Sequence, residues 1–435
     1  MEVLMSDGCG YGHGPNDVSP GMKIWELRDA NRFVFSLNRD KMHFVNRNDA
    51  VKELREIHRH NYNRAKDHSG AAFVIPLCDH VVGLGKSEFG RNYLRQCRVE
   101  MEGKPGGEFD KVLYACHSIE IMFAPESLTD EDSMDQVIME NLCLKIESKF
   151  KTTPKCVSKS FKSSTRMLIE LSKEIGPIFI VLDEMGVAFE KRGDSSQLIP
   201  CGRFLTFCNR ILASWFLLKN VFFLVLGRAA FSSYVGQRPE NAVVSVEASR
   251  HLFRRLPLRM LCANSIELIL KHTLLTEECA TTLAEYYKLD DSKIKAAADH
   301  LFCQTNGHPR TLMLALEKCK SYQDLMEYVG DFDVGNWDVF CQRVLGQKST
   351  ILELLEAASE GKSVNMARRI TVQGRSMSYD EVAATVLMSW DGCIESATVH
   401  AIPSVHAFLS SFLMPFETFF QGSEQAFSNN TVELS

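Results

Sequence analysis

The sequence predicts an α/β protein in three parts: a parallel sheet covered by helices, an all-helical lid and a C-terminal winged-helix-like module. Up to Leu261, short apolar runs such as FVIPLC and VFFLVL alternate with segments of helical periodicity. This alternation is typical of parallel strands that helices cover on both faces. Helical patterns alone continue from there to Lys320, and from about Gly335 helices precede a short strand-like return.

Composition and charge restrict the classes of protein to which the chain can belong. Of its 435 residues, 45% are hydrophobic and 24% are charged, as in ordinary globular proteins. The net charge of -6 gives no general attraction to nucleic acids or anionic membranes. The 14 cysteines form no CxxC pair and no apolar segment follows a basic start. We therefore expect an intracellular protein with reduced thiols, in the cytoplasm or nucleus.

The elements of the predicted core follow one another in a regular order. A helix is expected from Asn48 or Asp49, because Val51, Leu54 and Ile57 recur at helical spacing. Strands are predicted at FVIPLC, KVLYACHSI, IFIVLDEMG, VFFLVLGR and FRRLPLRML, and an amphipathic helix at TDEDSMDQVIMENLCLKIESKF. The basic segment KTTPKCVSKSFKSSTR is expected to be an exposed linker or, alternatively, a nucleic-acid contact.

These patterns divide the chain into five segments. They are a flexible lead-in at 1–40, the α/β core at 41–262, the helical lid at 263–332, the winged-helix-like module at 333–420 and a disordered tail at 421–435. The lead-in is rich in Gly, Ser, Asp and Pro, which favour turns over regular elements. The lid opens with ANSIEL, a start similar to a capping box.

The strand FVIPLC runs directly into DHVVGLGKSEFG, which has the end of a phosphate-binding loop. Gly85, Lys86 and Ser87 supply the last glycine, the lysine and the hydroxyl that such loops place at a helix N-terminus. Gly83 adds a permissive backbone position, but His80 stands where the first glycine is expected. Taken alone, this match is also consistent with chance.

An acid pair ends another strand, IFIVLDE. Asp183 and Glu184 lie at its carboxyl end, where open α/β sheets bind their ligands. One carboxylate would hold Mg²⁺ and the other would orient an attacking water. The capped start of a helix is the alternative, because acidic residues are common there.

Two further motifs supply cations. Arg228 follows the strand VFFLVL, where it would sense or stabilise γ-phosphate charge, and a surface arginine is the alternative. In NGHPR, Gly307 and Pro309 predict a rigid turn between two helices from which Arg310 projects, and a plain helix–helix elbow has the same signature. The four motifs stand in the order of an ATPase, which favours a P-loop NTPase core over coincidence.

The segments FVNR, GLGKS, IFIVLDE, VFFLVLGR and NGHPR, in this order, resemble the STAND and origin-recognition-like branch of AAA+ ATPases. The run from IFIVLDEMGVAFEKRG through LGRAAFSSYVGQR is more closely similar to the P-loop NTPase module of Crinkler effectors and trypanosomatid retrotransposon hot spot proteins. The resemblance implies an ATPase core of five parallel strands, a helical lid and a winged-helix end, with ATP and Mg²⁺ as cofactors.

The resemblance also implies roles for single residues. Arg47, in FVNR, would lie near the bound base, and Lys86 would bind the phosphates. Ser87 and Asp183 would hold Mg²⁺, while Glu184 would activate water. ATP hydrolysis is the enzymatic activity that these roles would serve.

Some features connect the chain to such families and others depart from them. The turn at Gly307 and Pro309 would close the lid over the nucleotide. His80 replaces the first loop glycine, which would narrow the loop or slow turnover while Lys86 still binds. The sequence shows no LFLAK-type translocation motif, no toxin domain and no D…ExK nuclease pattern.

Three functions are consistent with these motifs. The leading hypothesis is a slowly hydrolysing, ATP-binding switch, in which nucleotide closes the lid and the winged-helix end transmits the change to a protein or DNA partner. One alternative is a nucleic-acid-binding protein that uses the winged helix and residues 149–166, and another is an interaction scaffold with a degenerate NTPase core. No membrane partner is expected, whereas self-association and delivery into a host cell stay open.

Overall fold

The computed structural model of the protein describes residues 35–67, 72–80, 83–104, 106–191, 198–227, 251–278, 280–330, 344, 346–372, 375–386, 388–393, 395–401 and 403–413. Most of the predicted lead-in, the whole predicted tail and Arg228 therefore lie outside the described residues. None of the described helices is both long enough and apolar enough to cross a membrane.

A five-stranded parallel sheet forms the centre of the core. The strands are β1 (Phe73–Cys78), β2 (His117–Met122), β3 (Ile178–Asp183), β4 (Val221–Leu226) and β5 (His251–Arg255). Their order is β2-β3-β4-β1-β5, and each neighbouring pair runs parallel. Both β3 and β4 are buried along their whole length, as strands between two helical layers must be. The predicted α/β fold class, with a parallel five-stranded sheet covered by helices, is confirmed.

Helices cover both faces of this sheet. They are α1 (Asn48–Asp67), α2 (Lys86–Met101), α3 (Glu108–Tyr114), α4 (Met134–Lys149), α5 (Ser164–Ile175), α6 (Met185–Ala188), α7 (Leu198–Phe207) and α8 (Ala213–Trp215). A π-helical stretch, Cys208–Leu212, joins α7 to α8. Apolar residues of α1, α2 and α3 pack on one face of the sheet, and those of α4, α5 and α7 pack on the other.

The structure corrects the second predicted strand, which the sequence placed from Lys111. This residue lies in α3, and the strand begins only at His117. The carboxylate of Asp110 accepts a hydrogen bond from the backbone N–H of Gly107 at 3.2 Å, which closes the first turn of α3. A short apolar run such as VLYAC fits a strand or a helix equally well, and here the cap favours the helix.

The lid is a group of helices that follows the sheet. It contains α9 (Ala263–His272), α10 (Leu283–Tyr286), α11 (Asp291–Thr305), α12 (Pro309–Lys318) and α13 (Tyr322–Glu327). Their apolar residues form a core of their own. Residues 35–40, at the end of the predicted lead-in, pack against this core. Leu37 is buried there, and its backbone N–H donates to the carbonyl oxygen of Leu274 at 2.9 Å.

The C-terminal module combines helices with short antiparallel strands, as a winged helix does. It contains α14 (Lys348–Glu360), β6 (Ser363–Val364), β7 (Arg369–Val372), β8 (Arg375–Ser378), α15 (Tyr379–Thr385), β9 (Ser389–Cys393), β10 (Ser396–His400) and α16 (Pro403–Leu413). β6, β10 and β9 form one sheet, and β7 and β8 form a hairpin. The predicted helix SYDEVAATVLMSW ends at Thr385, because its last two residues enter β9 and pair with β10.

His58 fixes α1 to the sheet through two buried hydrogen bonds. Its Nε2 donates to the carbonyl oxygen of Phe223 in β4, and its Nδ1 accepts from the hydroxyl of Tyr93 in α2, both at 3.0 Å. A carbonyl oxygen can only accept, so the ring is the neutral Nε2–H tautomer. Burial lowers the pKa of His58 to about 4, although the bond to Phe223 favours the protonated form.

The protein should lose stability in mild acid because His58 cannot be protonated in place. A histidine whose pKa falls on folding contributes stability above its unfolded pKa, and that stability is lost as pH falls toward its folded pKa of about 4. At about pH 5 the loss from His58 amounts to about 2 kcal/mol relative to pH 7. Urea unfolding at the two pH values should show a smaller loss in His58→Gln than in the wild type.

His60→Gln is the matched control for this prediction, because His60 lies exposed on the same helix. It should keep the wild-type acid sensitivity. Burial also lowers the pKa of His43 and of His117 to about 4, so some sensitivity will remain in His58→Gln. Equal acid sensitivity in the wild type and His58→Gln would contradict the prediction.

Candidate functional site

The phosphate-loop candidate lies between β1 and α2 at the carboxyl edge of the sheet. β1 ends at Cys78 and α2 begins at Lys86. Gly83 and Gly85 have left-handed backbone conformations, with φ of 87° and 86°, which residues with a Cβ rarely adopt. The two glycines let the chain turn into α2, whose first N–H groups have no partner within the helix and therefore suit an anion.

Lys86 turns its ammonium group back toward the loop. Its Nζ donates a hydrogen bond to the carbonyl oxygen of His80 at 2.7 Å. Burial lowers the pKa of Lys86, although the carboxylates of Asp183 and Asp79 act in the opposite direction. A phosphate beside Lys86 would favour its protonated form, so anion binding and the charge on Lys86 would support each other.

Ser87 and Asp183 meet across the edge of the sheet, as the metal prediction requires. The Ser87 hydroxyl donates to Oδ2 of Asp183 at 2.6 Å, and the backbone N–H of Glu184 donates to Oδ1 at 2.8 Å. Asp183 is only 3% exposed. The described residues contain no cluster of three or more metal-ligating side chains. One hydroxyl and one carboxylate still fit Mg²⁺, which takes most of its ligands from water and phosphate.

Glu184 follows β3 in a strained backbone conformation. Its φ of 59° lies in the left-handed region, which costs a residue with a side chain about 1–2 kcal/mol. It precedes the short helix α6 and lines the same cavity as Lys86 and Asp183. Strain of this kind persists where the surrounding structure imposes it and is common at functional sites.

Arg47 is buried beside the loop, where three carbonyl oxygens accept its hydrogen bonds. Nη2 donates to Leu84 at 2.9 Å, while Nη1 donates to Asn46 at 3.1 Å and to Arg259 at 2.6 Å. Burial lowers the pKa of Arg47 to about 10. None of its described hydrogen bonds is to a carboxylate, so an anion in the cavity would offset the cost of burying this charge.

The NGHPR turn brings the lid onto the loop. The backbone N–H of Arg310 donates to the carbonyl oxygen of Gly83 at 3.2 Å. The His308 ring lies so close to Gly83 that a Cβ there would stand 2.6 Å from its Cε1 atom. Gly307 accepts a hydrogen bond from the N–H of Leu261 at 2.8 Å, which ties the same turn to the end of the core. The NGHPR turn is therefore both a helix–helix elbow and the place where the lid contacts the loop.

A cavity of about 420 Å³ lies where these pieces meet, within the usual range for small-molecule sites. The predicted site residues that line it are Arg47, Gly83, Gly85, Lys86, Ser87, Asp183, Glu184, Pro309 and Arg310. Gly307 lies two residues before Pro309 and does not line the cavity, and Arg228 lies outside the described residues. The structure thus brings together side chains that four separate motifs supplied.

Sequence reasoning missed part of the cavity wall. Six apolar side chains also line the cavity, namely Met42, Phe44, Val45, Leu261, Ile269 and Met313. They come from the segment before α1 and from the lid, and nothing in their spacing marks them as site residues. Arg91 also lines the cavity, one turn after Lys86, and Glu120 accepts two hydrogen bonds from it at 2.8 Å each.

His80 leaves the cavity open. The residue is buried, and its side chain is not among those that line the cavity. Burial lowers the pKa of His80 well below its usual value, and the neighbouring Arg255 and Lys86 act in the same direction, so the ring is neutral. Its carbonyl oxygen still accepts the hydrogen bond from Lys86. The imidazole that stands in place of the expected glycine is therefore buried and does not line the cavity.

Comparisons with known proteins reveal likeness in fold only. The sequence matches no protein-family model, and a search of curated proteins returned no match. The Walker-type ATPase of Pyrococcus abyssi is 12% identical with a TM-score of 0.37, over 82% of this chain and 98% of that one. The Aeropyrum pernix Orc1 protein, solved with DNA, is 13% identical with a TM-score of 0.34, over 86% and 94%. Cdc6p from Pyrobaculum aerophilum is 12% identical with a TM-score of 0.37, over 90% and 99%. Similarity this low carries no function across to the chain.

Alanine substitutions at the two loop glycines should separate backbone strain from contact with the lid. Both residues have positive φ, so each substitution should cost about 1–2 kcal/mol of unfolding free energy. Gly83→Ala should cost about 1–3 kcal/mol more, because its Cβ would overlap His308 and Arg310. Denaturant unfolding of the two variants measures the difference.

Gly85→Ala is the control in this pair, since a Cβ there meets only Arg47, at 3.9 Å. Equal losses of stability in the two variants would show that the lid does not rest on Gly83 in solution.

Proposed function

We propose that the chain is an ATP-binding P-loop NTPase of AAA+ type that acts as a nucleotide-dependent conformational switch. The observation that carries this proposal is the convergence of three groups on one cavity. Lys86, the hydrogen-bonded pair of Ser87 and Asp183, and Glu184 all line it, and the lid reaches it through Arg310. Each of these groups matches a step in binding or hydrolysing a nucleoside triphosphate.

The position of each residue indicates its role in binding or hydrolysing the nucleotide. The loop N–H groups at the start of α2 and the ammonium group of Lys86 would bind the phosphates. Ser87 and Asp183 would hold Mg²⁺, which neutralises charge on the phosphates when it is bound. Glu184 would accept a proton from the attacking water or orient it. Arg310 would add a cation from the lid, so that closure and phosphate binding favour each other.

The base would bind against the apolar wall of the cavity. Phe44 and Val45 stand three and two residues before Arg47 in sequence, and Leu261 and Met313 also line the cavity. Apolar walls with a few polar groups are typical of sites that bury a planar ring. Arg47 would then stand between base and phosphates, close to the place that the resemblance implies.

The finer assignments rest on sequence motifs. Identity as a Crinkler-like or retrotransposon-hot-spot-like protein of the STAND type is proposed from the run between IFIVLDE and LGRAAFSSYVGQR. On the same ground Arg228 is proposed as the sensor of the γ-phosphate. Slow hydrolysis is proposed from His80, an intracellular location from the pattern of cysteines, and self-association and a protein or DNA partner from the same likeness.

One observation favours nucleic-acid binding as a second function. The basic segment exposes five cations, namely Lys151, Lys155, Lys159, Lys162 and Arg166. Lys149 is excluded from such a surface, because its ammonium group is hydrogen-bonded to the carbonyl oxygen of Ser118. Exposed cations along one segment can contact phosphates of a nucleic acid, and this function would add to the nucleotide site without replacing it.

A slowly hydrolysed ATP analogue with Mg²⁺ should raise the melting temperature of the wild type. A ligand selective for the native state at about 100 times its Kd stabilises it by about 2.7 kcal/mol. Lys86→Ala should abolish the rise, because the loop loses its cation for the phosphates. Lys145→Ala, an exposed lysine on α4, should keep it. No rise in the wild type would refute nucleotide binding.

Glu184→Gln should separate binding from hydrolysis. The amide keeps the size of the side chain but cannot accept a proton from water, so hydrolysis should fall about 10²–10⁴-fold. The nucleotide-dependent rise in melting temperature should remain. Glu190→Gln, an exposed position shortly after α6, should hydrolyse ATP like the wild type. Unchanged hydrolysis in Glu184→Gln would remove Glu184 from the mechanism.

A further inference from the structure

Arg255 holds the residue from which the phosphate loop starts. It is the last residue of β5, and its Nε donates to Oδ1 of Asp79 at 2.7 Å. Asp79 follows β1 directly and is fully buried, and the Arg255 side chain is only 14% exposed. A buried ion pair of this kind fixes its partners in place, because either charge alone would be costly to bury.

The C-terminal module covers this ion pair. The guanidinium carbon of Arg255 lies 3.6 Å from the centre of the Trp390 ring, which belongs to β9. The indole N–H of Trp390 donates to Oδ1 of Asp380 in α15 at 2.7 Å. Cation–π contacts strengthen when they are shielded from water, so the stack is most favourable with the module docked.

Asp380 completes a continuous path from the module to the loop. Its carboxylate is buried, and Oδ2 has no hydrogen-bond partner within the described residues. Burial raises the pKa of Asp380 to about 6, while the charge of Arg255 acts to lower it and that of Asp79 to raise it. Arg255 therefore pairs with Asp79 of the core and stacks on Trp390, which is in turn hydrogen-bonded to Asp380 of the module.

A second contact joins the module to the lid at the NGHPR turn. The side-chain amide of Asn306 donates to the carbonyl oxygen of Ala401, which lies between β10 and α16. Asn306 precedes Gly307, so this contact meets the turn that rests on Gly83. The module therefore contacts two neighbours of the loop, Arg255 in the core and Asn306 in the lid.

From this geometry we propose that Trp390 and Arg255 couple nucleotide affinity to docking of the C-terminal module. Both are positioning residues: Trp390 excludes water from Arg255, and Arg255 holds Asp79 at the start of the phosphate loop. The docked module keeps the loop in the arrangement that receives phosphate, and release of the module hydrates Arg255 and loosens Asp79. The inference rests on the proposed nucleotide binding and adds its regulation by the winged-helix-like module.

The coupling is reciprocal, because two linked binding events must affect each other equally. Removing the Trp390 ring should weaken nucleotide binding, and nucleotide should in turn hold the module docked. Coupling between such sites typically changes affinity by about 5–150-fold. For Trp390→Leu we expect a loss of about tenfold, and for Trp390→Phe, which keeps a ring but loses the bond to Asp380, a smaller loss.

The test measures the Kd of a slowly hydrolysed ATP analogue with Mg²⁺ for the full chain and four variants. These are Trp390→Leu, Trp390→Phe, Arg255→Lys and the control Trp215→Phe. Trp215 is a buried indole of the core whose N–H donates to the hydroxyl of Ser164 at 3.1 Å, so its replacement also removes one buried hydrogen bond. The Trp390 and Arg255 variants should bind more weakly, and Trp215→Phe should bind like the wild type. Arg255→Lys keeps the charge but loses the flat stacking surface, and should resemble Trp390→Phe.

Tryptophan fluorescence supplies a readout that general destabilisation would not produce. Nucleotide should change the emission of the wild type and of Trp215→Phe but not that of Trp390→Phe. Wild-type Kd values in folded Trp390 variants would overturn the coupling while leaving nucleotide binding intact. If Trp390→Leu fails to fold, Trp390→Phe and Arg255→Lys decide the question. A wild type that binds no nucleotide would refute the proposed function, and the coupling with it.

Discussion

The parallel direction of all five strands, with β1 between β4 and β5, is the constraint on which the rest of the structure depends. It brings the carboxyl ends of every strand to one edge of the sheet. Asp79 follows β1, Asp183 ends β3 and Arg255 ends β5 at this edge. Residues that are far apart in sequence thereby become neighbours, as in other open α/β sheets that bind ligands at this edge.

Charged side chains of both signs meet at this edge, and the groups that they contact differ. Asp79 and Arg255 neutralise each other behind the loop. Lys86 and Arg47 face the cavity, and their described hydrogen bonds go to carbonyl oxygens. Burial lowers the pKa of both cations, which means that their charge is held at a cost. An anionic ligand would relieve that cost, so the electrostatics of the cavity favour an anion.

The order of elements and the central site residues could be predicted because each has a local signature. Lys86 and Ser87 follow a strand and begin a helix, and Asp183 ends an apolar run. Because the sheet is parallel, both places lie at its carboxyl edge, where the Ser87 hydroxyl lies 2.6 Å from the Asp183 carboxylate. The stacking of Arg255 on Trp390 has no such local signature, because it joins the core to the C-terminal module through a single aromatic ring. The error at Lys111 has the opposite cause, since a local cap overrides an apolar run that fits a strand.

The loop is enclosed by contacts that belong to three parts of the chain. Gly83 accepts from the lid at Arg310, Asp79 pairs with Arg255, and the module lies over Arg255 through Trp390. A ligand shifts such an arrangement only by binding one conformation better than another. The lid contacts the loop at Gly83 and the module reaches Asp79 through Arg255, so a displacement of the loop would alter both contacts at once. Under the proposed function, occupancy of the cavity would therefore change how the lid and the module are held.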